Sequence, residues 1–494
     1  MNKKIPQKVR KLIAGKEWYH QRFDGSPLYL YFIAEAELAK EARKPTGTEA
    51  DVRVSYFRDG KADWYLDLAD IRRGSKIMIK LAAKDPKIST KLLNKWKKDE
   101  QRAQAFFDNF SKIKLKKLTD NELIRLFNKL YRLFCNRFTS SAIIDHFALG
   151  TDKHIAELLR KEMGTTNKKS DFMTAFSIAT APVHQSFINR AETDLLDIAI
   201  NNPNDLKKIS THQRKYFWIN NNYITSKVLS VDHFKKEIRR WLKAGDIKSK
   251  YAQLKKAPIN NAAKKIALFK KYNFSPLLKN LLKISEDFTW WQDERKKASY
   301  LNIYLGTSII GEMARRIGYN KEATKFLLPR EVESMFKQGK PTHQELQDRM
   351  KASAYVVWRG TEFIATGKAV SDLNKIMFGS KNQDVVKDIR GLTASVGRVV
   401  GPVKIVGSVR EVGKVQKGDI LVAVMTRPDY IAGIKKAAAI VTNEGGITCH
   451  AAIIARELNI PCIIATKIAT EILKDGDIAE VNANHGVVTI IRRK

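Results

Sequence analysis

Cysteine is nearly missing from this 494-residue chain: Cys135, Cys449 and Cys462 are the whole set. Three scattered thiols without metal-ligand spacing exclude a disulfide framework and offer no zinc site. Long apolar runs are missing too, since none approaches the ~18–20 residues that cross a bilayer. The opening "MNKKIPQKVRKLIAGKEW" is basic, but it has only "LIAG" where a secretory signal needs a longer apolar core. No internal repeat or low-complexity segment is found. These absences predict a folded cytoplasmic protein with no membrane partner. Acidic residues are also scarce, 52 against 90 Lys and Arg, for a net charge of +38.

That charge is unevenly placed. Residues 391–494 hold 14 Lys/Arg and 9 Asp/Glu, a net of +5, which leaves +33 of the +38 to residues 1–390. Clusters such as "KIKLKK" (Lys112–Lys117) and "KKEIRR" (Lys235–Arg240) fall in helical patterns and read first as solvated helix faces. Weak, non-specific nucleic-acid binding, or steering of anions, is the alternative.

The length suggests about three domains. Residues 1–75 read as a small α+β segment: "SPLYLYFIAEAE" and "DVRVSYFRDGKADWYLDL" are β-prone, with a turn signal at Asp59-Gly60. Residues 76–377 read as mainly helical. In "DNELIRLFNKLYRLFCNRF", for example, Leu123, Leu126, Phe127, Leu130, Leu133 and Phe134 recur at helical spacing. Residues 378–390 are polar and glycine-bearing, a linker whose roughly fourteen-residue stretch reaches ~45 Å. From 391 to 494 short β-branched runs alternate with short helical patterns, which predicts a compact α/β domain.

Within it, "VTNEGGITCHAAIIARELNIPCII" (Val441–Ile464) holds a single histidine. Ala437–Val441 reads as a buried strand, and Gly445 and Gly446 allow backbone angles and close approaches barred to other residues. "HAAIIAREL" reads as a helix ended by Pro461, with Thr448 as its natural N-cap. His450 then lies in the first helical turn, beside amides and a dipole that favour anions. A neutral imidazole there is a competent nucleophile toward phosphorus. The residues alone leave two readings open: a phosphoryl-accepting histidine, or a histidine that caps a helix.

The stretch "AAAIVTNEGGITCHAAIIARELNIPCII" resembles the phosphohistidine signature of the phosphoenolpyruvate-utilising enzymes, such as phosphoenolpyruvate synthase and pyruvate phosphate dikinase. The likeness runs over roughly 391–491, through "GLTASVGRVVGPVKIV", "KGDILVAVMTRPDY" and "ATEILKDGDIAEVNANHGVV", with a weaker echo in Trp290–Phe336. It implies a β/β/α swivelling domain in which His450 is transiently phosphorylated. Thr448, Gly445, Gly446 and Cys449 would support the phosphoryl group. The chain departs from the pattern at Asn443, Cys449, Asn459, Ala465 and Asn482; Asn443 and Asn482 remove negative charge expected near the site.

Neither an ATP-grasp segment nor a phosphoenolpyruvate-binding barrel is recognisable. The resemblance therefore implies a phosphotransferase component working with an ATP-grasp-like or phosphoenolpyruvate-binding partner, a phosphorylated small-molecule donor and an acceptor. Mg²⁺ is expected at the donor site, with no metal held by a motif of this chain. A non-catalytic basic protein that binds nucleic acid or regulates through a degenerate swivelling domain is the competing class. His146 ("IIDHFALG") and His184 ("APVHQSF") read as packed histidines, and "HQRKYFWINNNYI" (His212–Ile224) as a helix-packing face or the wall of an acceptor pocket.

Overall fold

The computed structural model describes residues 4–43, 51–164, 169–379, 388–427, 430–446 and 449–494. The chain forms two compact units. One comprises Met1–Met78, Asp145–His154 and Pro341–Lys494; the other comprises Ile79–Ile144 and Ile155–Lys340.

The first unit contains two sheets. Strands β1 (Trp18–Asp24), β2 (Arg53–Arg58), β3 (Lys61–Asp67), β4 (Ser353–Trp358) and β5 (Thr361–Thr366) make an antiparallel sheet in the order β1-β3-β2-β4-β5. Asp59 and Gly60, both at positive φ (54° and 72°), form the two-residue turn joining β2 to β3. Strands β4 and β5 lie inside the stretch read as mainly helical. Each is six residues long, too short to register against the helical texture around it, and "SAYVVW" is buried throughout. Ile5, with Val9 and Ile13 of the Gln7–Ile13 helix and Leu373 and Met377 of the Lys368–Phe378 helix, packs on Val54, Ala354, Val356, Phe363 and Ala365.

"SPLYLYFIAEAE", read as β-prone, is instead the helix Pro27–Leu38, which packs on β2 and β4. Pro27 holds the first helical position, where its missing N–H costs nothing, and all but one of the twelve residues are buried. A helix apolar all round shows no 3.6-residue period, so periodicity could not separate it from a strand.

Residues 388–494 form the second sheet: β6 (Asp388–Arg390), β7 (Leu392–Ser395), β8 (Arg398–Ile405), β9 (Ile420–Ala423), β10 (Ala439–Thr442), β11 (Cys462–Ile464), β12 (Ile478–Asn482) and β13 (Val487–Arg492). Their order is β6-β13-β12-β8-β9-β10-β11-β7. The central four strands, β8 to β11, are parallel, and the outer ones antiparallel. The sheet begins at Asp388, so three residues assigned to the linker pair with β13. Of that linker, residues 380–387 lie outside the described residues. Ala451, Ala452 and Ala455 of the His450–Glu457 helix cover one face with Tyr430 and Ile434, while Ala469 and Leu473 cover the other.

The second unit is helical. Its longest helix, Pro276–Arg316, starts on a Ser275 cap whose hydroxyl accepts from the Leu278 amide at 3.2 Å. It packs with the Ile88–Phe110 and Asp120–Ser141 helices, and Trp291 lies 5.8 Å from Trp96 in their shared core. The Asp120 helix opens with a Thr119/Glu122 capping box. Among the described residues, no helix is long and apolar enough to cross a membrane.

Candidate functional site

Parallel strands direct chemistry to their carboxyl ends, where the chain leaves the sheet and backbone groups are free to meet a ligand. In the C-terminal domain those ends carry Thr426 after β9, Asn443 to Gly446 after β10, and Ala465 to Lys467 after β11. His450 is the first residue of the helix that returns from β10, and its ring is half-buried there. The Thr426 hydroxyl lies 2.9 Å from His450 Nδ1, and Thr426 itself is buried. One side of the imidazole is therefore held in place, and its orientation is set by the sheet rather than by solvent.

The N-cap of this helix is Cys449, whose backbone is extended (φ −67°, ψ 162°), one residue later than the sequence reading placed it. Thr448, expected as cap and phosphate support, lies outside the described residues. The Cys449 residue keeps some exposure, yet its sulfur is packed inward: a Cβ added to Gly445 would fall 2.8 Å from it. The Ala452 and Ala451 amides favour the thiolate, though without the geometry of a capping hydrogen bond. Burial outweighs them and pushes the thiol up to about 11. Cys449 is thus a neutral packing group, and the first-turn amides expected to face a phosphoryl group lie beside its sulfur.

Gly445 has φ +121°, a conformation side chains avoid. Gly446 is required for a different reason, because a Cβ there would come within 2.0 Å of Asp152 Oδ2. The close approach that this glycine permits is to the carboxylate of a residue about three hundred positions earlier. Asp152 also acts electrostatically on Cys449 and Arg456.

Neighbouring groups balance in sign. Glu444 is buried, which raises its carboxyl above the ordinary value, and Lys467 Nζ at 2.8 Å opposes that rise. The phenol of Tyr19, on β1, is pushed well up by burial and then by Glu444, with smaller contributions from Cys449 and Asp145. Among the described residues, no group of three His, Cys, Asp or Glu side chains could hold a metal ion.

The departures from the family pattern acquire physical meanings. Asn443 donates through Nδ2 to Thr470 Oγ1 (2.7 Å) and accepts from the Thr470 amide through Oδ1 (2.9 Å). An ionised aspartate could only accept. Asn459 and Ala465 sit at φ 54° and 56°, where glycine is the unstrained choice. Asn482, expected near the site, is remote from it. It pairs with Arg398 at the start of β8, the opposite end of the sheet from Thr426 and Asn443.

The other sequence candidates are packing groups. His146 is buried. The His184 ring meets Trp290 edge-on with centroids 6.4 Å apart. In "HQRKYFWINNNYI", His212 packs between Tyr216 and Phe234, and Asn221 and Asn222 brace a loop. The Asn222 carbonyl accepts from the Ile224 and Thr225 amides, and the Asn221 carbonyl from Lys227. Thr426 and Asp152 went unnoticed in the sequence. Thr426 stood inside the matching "MTRPDY", but Asp152 had no signal at all.

The candidate site is thus a half-buried histidine, oriented by a buried threonine at the carboxyl ends of parallel strands and opening a short helix. Residues 415–486 match the family model described as the PEP-utilising enzyme, mobile domain. The chain is similar to a protein named "Probable phosphoenolpyruvate synthase" in Archaeoglobus fulgidus, 52% identical over 100 residues, or 20% of this chain and 13% of that protein. It is likewise similar to phosphoenolpyruvate synthases of Pyrococcus furiosus (41% over 132 residues, 26% of this chain and 16% of that one) and Pseudomonas aeruginosa (39% over 149, 30% and 18%). The chain thus spans less than a fifth of the length of each of these relatives.

Proposed function

We propose that this chain is a phosphotransferase component that carries a phosphoryl group on His450 from a nucleotide or phosphoenolpyruvate donor to an acceptor. The observation that carries the reading is the 2.9 Å contact between Thr426 and His450 Nδ1, in a domain whose sequence matches the mobile domain of phosphoenolpyruvate-utilising enzymes. With Nδ1 engaged, attack on phosphorus falls to Nε2. In the first half-reaction an Nε2–P bond forms as the donor's P–O bond breaks. In the second, the acceptor's oxygen takes the phosphoryl group and neutral histidine is restored. Dividing one difficult transfer into two through a covalent intermediate lowers each barrier.

Such transfers depend on positioning and on cations that neutralise charge in the transition state. Lys467, which follows β11 near the His450 loop, is already paired with Glu444, so the neutralising cations fall mainly to the donor's site. Mg²⁺ would travel with the donor's phosphates and be held in the donor's own site, which we assign to an ATP-grasp-like or phosphoenolpyruvate-binding partner. The testing experiment offers the isolated chain Mg²⁺ and labelled ATP, then repeats the incubation with such a partner added. We expect negligible label alone and stoichiometric label with the partner. Rapid stoichiometric labelling of the chain by itself would put a nucleotide site within residues 1–390 and refute the division of labour.

A further inference from the structure

In the helical unit, the Ile247–Tyr272 helix reads "IKSKYAQLKKAPINNAAKKIALFKKY": eight lysines, no arginine and no acidic residue in 26 positions. Its inner face is pinned. The helix packs on the Lys169–Thr180 and Phe187–Asn201 helices. Lys265 is buried, with Nζ 2.8 Å from the Glu286 carboxylate and 3.2 Å from the Ala181 carbonyl. Asn261 Nδ2 donates to the Pro182 carbonyl at 2.9 Å. Pro258 removes the N–H that the Leu254 carbonyl would accept, and Gln185 Nε2 donates in its place at 2.8 Å. Lys250 pairs with Glu192.

The outer face is of another kind. The remaining six lysines are exposed, and among them Ile259 and Ile266 are 68% and 59% exposed. At about 100° per residue, Lys248, Lys255, Ile259, Ile266 and Lys270 fall within about 60° of one another, a stripe along a helix about 39 Å long. No carboxylate of the helix interrupts it. A single exposed isoleucine is ordinary. Two of them, two turns apart in an acid-free lysine stripe, put apolar and cationic surface on one line.

The chemistry of the stripe selects its partner. Lysine ammoniums call for an anionic surface. Duplex phosphates would take the lysines but leave both isoleucines in water. Single-stranded nucleic acid is held by arginine forks and exposed rings. This helix has no arginine, and its rings, Tyr251, Phe269 and Tyr272, are half-buried. An anionic bilayer accepts both kinds of group: headgroup phosphates meet the ammoniums, and branched side chains enter the boundary with the acyl chains. Such a contact needs no long apolar run, so the absence of a membrane-spanning segment does not oppose it.

We propose that the outer face of the Ile247–Tyr272 helix docks on an anionic phospholipid surface, with Ile259 and Ile266 entering the headgroup boundary and Lys248, Lys255 and Lys270 against the phosphates. The proposal stands on this helix alone and is independent of the function assigned to His450.

The experiment is vesicle flotation of the full chain, with phosphatidylcholine alone and with an equimolar mixture of phosphatidylcholine and phosphatidylglycerol. The proteins are wild type, Ile259→Ser with Ile266→Ser, Lys255→Gln with Lys270→Gln, and Lys116→Gln with Lys117→Gln. The last pair removes the same charge from exposed lysines elsewhere in the unit. All six positions are exposed, so the fold should be kept, and circular dichroism checks it. We expect wild type to bind the mixed vesicles at least about tenfold more tightly than phosphatidylcholine alone. The isoleucine pair and the first lysine pair should each weaken that binding about tenfold, and the control pair less than about threefold. Absence of binding, or equal binding to both vesicles, would overturn the proposal. An isoleucine pair that binds like wild type, or a control as damaging as the stripe, would reduce the effect to diffuse charge and overturn it too. Binding of duplex DNA that the stripe lysines weaken, without vesicle binding, would give the face to nucleic acid instead.

Discussion

Thr426 and Ala465 show what single side chains contribute at this site. The Thr426 hydroxyl orients His450 through Nδ1, whereas the chemistry we assign falls on Nε2. Thr426→Val keeps the shape and removes the hydrogen bond. The phosphorylation rate of His450 should then fall about tenfold without being abolished, the effect of losing one orienting bond of ~1–1.5 kcal/mol. Rapid-quench labelling measures it, and an unchanged rate would deny Thr426 this role. Ala465 holds a left-handed backbone, φ 56°, immediately after β11. Ala465→Gly relieves that strain at some cost in unfolded-state entropy, so the domain should gain about 0.5–1 kcal/mol in urea denaturation. A loss of stability would mean that the Ala465 methyl packs more usefully than its conformation costs.

Elements differ in how plainly their sequences announced them. The His450–Glu457 helix was legible because Gly-Gly, a short apolar stripe and Pro461 bracket it, and its histidine falls in the first turn as read. The cap was not, since Cys449 has the extended backbone but lacks a capping side chain. The Pro27–Leu38 helix and the β4–β5 pair were misread for complementary reasons: full burial erased the helix's period, and brevity hid the strands. Asp152 illustrates a limit of another kind, because its contact with Gly446 is created by the fold between residues about three hundred apart. In the helical unit, His212 is an element-scale case with a measurable consequence. Burial between Tyr216 and Phe234 lowers its pKa to about 4, against an ordinary value near 6.5. The folded state therefore binds fewer protons than the unfolded one between those values, and stability is lost as pH falls through that window. Urea midpoints should show a loss of up to about 3 kcal/mol between pH 6.5 and 4 that is missing in His212→Phe. Equal acid sensitivity in the two proteins would assign the loss to other groups.

At the scale of the whole molecule, two features stand apart. The C-terminal 104 residues carry a net of only +5, while +33 falls on the remainder, much of it on exposed helix faces. The similarity to phosphoenolpyruvate synthases, by contrast, covers 20–30% of the chain. The part that resembles those enzymes is thus the near-neutral part, and it holds the histidine to which we assign the carrier role. The proposed function therefore turns on the His450 ring. The most direct test incubates the full chain with labelled donor, Mg²⁺ and a competent partner, and follows acid-labile, base-stable label. The account predicts one phosphoryl group per chain in wild type and in His146→Ala, and none in His450→Ala. Label persisting in His450→Ala at the wild-type level would contradict it.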